Sequence, residues 1–207
     1  MRRATAKTTT LLGITAGLAG LEHGIFEILR GNIRPESLMF ASMGPPCNPE
    51  ISWSACEPAL TIFSSYLTAG ILTIIVSLFI IIWSAAFIRS KYSGTVLMLL
   101  SVVLIFTGGG IFPPVIGFIS GAAGTQINKP LPEKSPGKIS RLAAKLWPWP
   151  LVIYLIWIFG QFLIGYYFND FLKSIMGFGL LLILTMLPLS IYTAFAYDFI
   201  RNTPEKE

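Results

Sequence analysis

Apolar residues in this chain come in long runs. Stretches of the roughly 20 residues needed to cross about 30 Å of hydrocarbon lie at about 8–29, 58–88, 147–168 and 174–197. A further run, SGTVLMLLSVVLIFTGGGIFPPVIGFISGAAGTQI from Ser93 to Ile127, would be about 52 Å long as one straight helix and would overshoot a bilayer. Its middle supplies the break. Gly108, Gly109 and Gly110 weaken a helix, and Pro113 and Pro114 lack donors and clash with a preceding turn. Two arms follow, at about 93–112 and 113–128, with the prolines opening the second. The pattern therefore predicts an all-α, polytopic integral membrane protein of about six transmembrane helices, including a central helical hairpin broken at Gly108–Gly110 and Pro113–Pro114. Because each arm holds only about 16 to 19 residues, a re-entrant hairpin is the alternative.

Composition agrees with a membrane solvent. Of 207 residues, 54% are hydrophobic and 12% charged, too apolar for a surface that water must wet. No internal repeat, low-complexity tract or long linker divides the chain, so residues 1–207 read as one transmembrane domain. The net charge of +5 points to no nucleic acid, because the bases sit in short strips between apolar runs.

Those strips orient the chain. With the central region leaving and returning on one side, Arg2, Arg3, Lys7, Arg89, Lys91, Lys129, Lys134, Lys138, Arg141, Lys145, Arg201 and Lys206 share a face. Only Arg30, Arg34 and Lys173 remain for the other. Since cytoplasmic loops carry the excess of Lys and Arg, both termini and the basic loop 129–146 are expected in the cytoplasm, and loop 30–57 outside. A single kinked crossing at 93–127 would export that basic loop. Trp83, Trp147 and Trp149 then fall at the inner boundary and Tyr166 and Tyr167 at the outer, where amphipathic rings prefer to lie. The start of the chain has the outline of a signal peptide, but its apolar run continues to Leu29, past a usual signal core, and reads as the first crossing. The expected location is the plasma (cytoplasmic) membrane.

Cys47 and Cys56, the only cysteines, both fall in the outer loop within GPPCNPEISWSACEP. An oxidising face permits a disulfide there, stapling a proline-rich loop. A redox pair or a metal site is the alternative, but the spacing is not Cys-x-x-Cys, and no histidine lies nearby in sequence.

Candidate chemistry is concentrated in the first run. At 100° per residue, Gly13, Gly17, Gly20 and Gly24 fall on one line, a helix-packing face that lets another helix approach closely. Among the apolar residues stand Glu22, Glu27 and the chain's one histidine, His23. His23 and Glu27, four apart, share a face and lie nearer the glycine line, while Glu22 points away. An ionisable group in hydrocarbon costs about 2.5–3.5 kcal/mol on insertion scales, so such groups usually face a cavity or a partner. Gln161, Tyr66 and Tyr167 are candidate partners on other crossings. For Glu27 the simpler expectation is a wet acid at the interface, neutralised by Arg30.

Motifs for ATP hydrolysis, zinc proteolysis, serine hydrolysis and bis-histidine haem binding are absent, and nothing names a cofactor or a metal. An enzyme is the less expected class. Two functions remain in front: transport or conduction of a proton, a cation or a small cation-coupled solute past Glu22, His23 and Glu27, or service as a non-catalytic membrane subunit, forming a homo- or hetero-oligomer through the glycine face. A lipid- or quinone-directed membrane enzyme stands third. The outer acids Glu22, Glu27, Glu36, Glu50, Glu57 and Asp170 favour cations.

Overall fold

The computed structural model describes residues 2–43, 53–131 and 136–202. Its elements are α1 (Arg3–Arg30), β1 (Met39–Ala41), β2 (Pro58–Leu60), α2 (Tyr66–Ile82, continued by a π-helical turn, Trp83–Phe87), α3 (Ser93–Thr107), α4 (Phe112–Gly124), α5 (Lys138–Leu146), α6 (Trp149–Tyr167) and α7 (Asn169–Asn202). Four helices are long and apolar enough to cross a membrane: Arg3–Arg30, Tyr66–Phe87, Trp149–Tyr167 and Asn169–Arg201. Large apolar side chains on them stand exposed, Phe79 at 58% and Ile156 at 67% among them, a surface suited to lipid rather than water. The chain is mostly helical and membrane-embedded. Cys47, Glu50, Lys134 and Lys206 lie outside the described residues.

The chain divides into two compact units, Thr9–Thr125 and Met1–Thr8 with Gln126–Glu207. In the first, the glycine line of α1 meets α2. A Cβ on Gly20 would stand 2.5 Å from the Ser77 hydroxyl, one on Gly17 2.9 Å from the Ser77 carbonyl, one on Gly13 2.9 Å from Ser84 Cβ, and one on Gly24 3.0 Å from the Gly70 carbonyl. Backbones approach this closely only because both sides carry hydrogen or hydroxyl where larger residues carry carbon. The buried Ser77 and Ser84 hydroxyls have no conventional hydrogen-bond partner and point at Gly20 and Gly13. Weak contacts from glycine Cα–H, of about 0.5–1 kcal/mol each, suit that geometry.

Helices α3 and α4 run alongside each other in opposite senses, with Gly94 against Gly121 and Gly124, and Ser101 against Gly117. Ser120 ties α4 to α1 by donating to the Thr9 carbonyl at 2.9 Å. The connection is written in residue types. Gly108 ends α3 in the left-handed region at φ 116, and prolines occupy the first turn of α4, where a missing N–H leaves no bond unmade.

Helix α2 starts at Tyr66, later than the apolar run that predicts a crossing from about 58. Residues 58–60 instead pair antiparallel with 39–41, and Ser65 caps the helix by accepting the Thr68 N–H at 3.2 Å. Among the described residues, this small two-stranded ribbon is the sheet that departs from an all-α fold. It places the site described below.

In the second unit, α6 and α7 pack together, and α5 lays Ala143 and Ala144 on Ala196, Tyr197 and Ile200 of α7. Trp147 stacks on Tyr197 at 4.7 Å, and its indole N–H donates to the Thr8 hydroxyl at 3.3 Å. Asp198 is 1% exposed and meets the first turn of α1. It accepts the Ala4 N–H at 2.9 Å, the Thr5 N–H at 2.8 Å and the Thr5 hydroxyl at 2.8 Å. Two of the four orphan amides at that helix start are thereby satisfied by a carboxylate, whose charge the helix dipole also favours.

Candidate functional site

The site is assembled at the Arg30 end of α1. His23 and Glu27, one helical turn apart, are 1% and 0% exposed, whereas Glu22 is half-buried. Helical geometry sets this order: the pair lies toward the glycine line that α2 covers, and Glu22 lies away from it.

The turn between α3 and α4 closes over the pair. A Cβ on Gly108 would come within 2.7 Å of Glu27 Cδ, and one on Gly110 within 2.6 Å of His23 Cε1. Both glycines have positive φ, 116 and 73. Residues without side chains are thus needed twice over, for the backbone path and for the space the two ionisable groups fill.

The ribbon brings the third member. Beyond the paired residues of β1 and β2, the Ser42 N–H donates to the Glu57 carbonyl at 2.8 Å and the Cys56 N–H to the Met43 carbonyl at 3.1 Å. Thr61 bridges to Thr107, and the Ile62 N–H donates to the Phe106 carbonyl at 3.2 Å, pinning the strand beside the glycine turn. Held there, Glu57 sets Oε2 3.4 Å from His23 Nε2, its side chain 33% exposed against 1% for the histidine. Glu22 lies within Coulombic reach of the same Glu57 carboxylate.

Arg30 does not neutralise Glu27 by contact. Its guanidinium donates to the carbonyls of Ala41 and Ser42, the latter at 3.0 Å, and covers the rings of Tyr66 and Phe40 at 4.8 and 5.6 Å. The expectation of a wet, interfacial Glu27 is therefore corrected, because the ribbon and the glycine turn exclude water from it. Among the described residues, neither Glu27 oxygen meets hydrogen-bond geometry with a partner, and the Ser42 hydroxyl is the polar side chain close to it. His23 Nδ1 is likewise buried without a partner.

The histidine's partner is not on another crossing, as its place in an apolar run suggests, but is Glu57 in the segment before α2. Tyr66, one of the candidates, faces Arg30 instead. Only the outer run of acids signalled Glu57, and it did not single out one of them. Gly13, Gly17, Gly20 and Gly24 are occupied by α2 and its π-helical continuation, so that face is internal to the chain. Among the described residues, no group of three or more His, Cys, Asp or Glu is placed to hold a metal ion. Cys56 is described, with φ 70, but Cys47 is not.

No protein-family model, curated protein or solved structure matches this chain.

Proposed function

We propose that the protein transports or conducts a proton or small cation through a site made of Glu22, His23 and Glu27, with Glu57 at its mouth. One observation carries this reading: a buried Glu27 carboxyl with both oxygens unpartnered lies a turn from a buried histidine, which is joined to a partly exposed acid. A buried carboxyl is expensive without a partner, and a proton or cation taken from solution supplies one. Glu57, one-third exposed, is the group through which such a charge passes from solvent to His23. A role as a subunit docked through the glycine face loses its support, since α2 already covers that face.

The four long helices and the two short apolar helices α3 and α4 make six crossings, with a hairpin turn at Gly108–Gly110 on the outer side of the plasma membrane. Both termini and the basic 129–146 segment are cytoplasmic, following the distribution of Lys and Arg. Cys47 and Cys56 form a disulfide that closes the outer loop beside Glu57. In intact cells, a membrane-impermeant maleimide should label neither cysteine before reduction and both after it. Cys47→Ser should expose Cys56 to the same reagent without reduction. Labelling that needs permeabilised cells would refute the orientation, and labelling of the unreduced parent would refute the disulfide.

The functional test is proton and cation flux into proteoliposomes. Glu27→Gln, His23→Ala and Glu57→Gln should each lower the parent's flux by about ten-fold or more, the effect of roughly 1.4 kcal/mol on a limiting step. Glu22→Gln should lower it less, because that side chain is only half-buried and lies on the other side of the helix. Full flux in all four folded variants, or none from folded parent under any gradient, would exclude the proposal.

A further inference from the structure

Helix α5 carries three faces in nine residues. Ala143 and Ala144 are buried against α7. Lys138, Arg141 and Lys145 form a second line, and Ile139, Leu142 and Leu146 a third, the last three exposed at 76%, 65% and 44%. At 100° per residue the basic and apolar lines lie about 100° apart, side by side on the surface away from α7.

Two features need an occupant. Among the described residues, nothing covers the exposed Ile–Leu–Leu line, and water is a poor neighbour for it. Among the described residues, none of the three bases forms an ion pair; Arg141 Nε–H donates only to the Pro136 carbonyl, at 3.2 Å. A short helix with adjoining cationic and apolar faces is built to lie in the plane of a membrane interface.

The neighbouring chain sets the level. The crossing helix α6 starts at Trp149, three positions after α5 ends, and Trp149 itself is 63% exposed. Trp147, between them, is held by Tyr197. Indoles prefer the headgroup layer, so α5 is fixed where α6 enters hydrocarbon. There Ile139 and Leu142 can enter the acyl boundary while the three cations remain among headgroups.

From this arrangement, we infer that α5 binds anionic phospholipid, with Lys138, Arg141 and Lys145 pairing with phosphate and Ile139 and Leu142 seated in the lipid. The choice of an anionic surface follows from charge complementarity. Cations on a helix beside a membrane gain roughly five-fold in affinity each from an acidic leaflet. The inference rests on membrane embedding and not on transport.

The test uses the full chain in vesicles of phosphatidylcholine, into which brominated phosphatidylglycerol or brominated phosphatidylcholine is titrated while tryptophan quenching is followed. The parent should show a preference of about five-fold or more for the anionic lipid, weakening as salt shortens the screening length. A variant with Lys138→Gln, Arg141→Gln and Lys145→Gln should lose most of that preference; all three positions are exposed, so α5 keeps its seat on α7. Arg89→Gln with Lys91→Gln, which removes charge elsewhere, should retain it. Should the triple variant fold poorly, the three single substitutions should each lose part of the preference. Equal quenching by the two lipids in the parent, or equal loss in the control pair, would overturn the inference. So would a triple variant that keeps the parent's preference, or folded single variants that all do so.

Discussion

Asp198→Ala should lower the stability of the detergent-solubilised protein by about 3–5 kcal/mol, the largest loss expected from any single truncation of this chain. The carboxylate takes the Ala4 and Thr5 amides and the Thr5 hydroxyl at 2.8–2.9 Å in a site 1% exposed, so alanine leaves three donors with no acceptor. Each buried donor left bare costs about 1–3 kcal/mol. A charge effect adds to this: the acid sits in the last turns of α7, where the dipole of its own helix disfavours it, and the positive start of α1 compensates. Asp198→Asn keeps the shape and one acceptor but turns an N–H toward a donor, and should fall between parent and alanine. Thr5→Val removes only the hydroxyl bond and should cost about 1 kcal/mol. Reversible unfolding in mixed micelles measures all three. An alanine variant within about 1 kcal/mol of the parent would mean that the cap is dispensable.

Why Asp198 escapes a reading of the sequence, while the crossings do not, is a matter of range. An apolar run of crossing length is a local property, and the helices at 3–30, 149–167 and 169–202 follow from it. The position of Glu27 near the glycine line is also local, since 100° per residue fixes it. Asp198 and Glu57 act on residues 193 and 34 positions away, respectively, and no spacing rule connects them. Two signals were nevertheless present. Ser65 followed by Thr68 is a cap that would have started α2 at its observed place rather than near 58. The spacing of Ile139, Leu142, Ala143 and Leu146 in the basic loop is helical, and it marks α5. The β ribbon left no such mark, because residues 58–60 run into the apolar stretch that follows and hide the change of structure.

Gly110→Ala should destabilise the protein by about 3 kcal/mol and abolish most of any flux that depends on His23. Two costs combine. The alanine must adopt φ near 73, which costs an L-residue roughly 1–2 kcal/mol, and its methyl must occupy space now filled by the buried imidazole, 2.6 Å from Cε1. The ring has little room to retreat, being 1% exposed and held toward Glu57. Gly31→Ala separates the two costs. Gly31 has φ 75, nearly the same backbone strain, but nothing among the described residues lies within 4 Å of its added Cβ. That variant should lose only the 1–2 kcal/mol of strain and keep the parent's flux. Gly108→Ala repeats the experiment on the other acid, with φ 116 and the Glu27 carboxyl carbon 2.7 Å away. If Gly110→Ala and Gly108→Ala both behave like Gly31→Ala, the turn does not seal His23 and Glu27. If both lose stability and flux while Gly31→Ala loses only stability, the glycine turn is the lid that keeps the pair dry, and Glu57 is left as its opening.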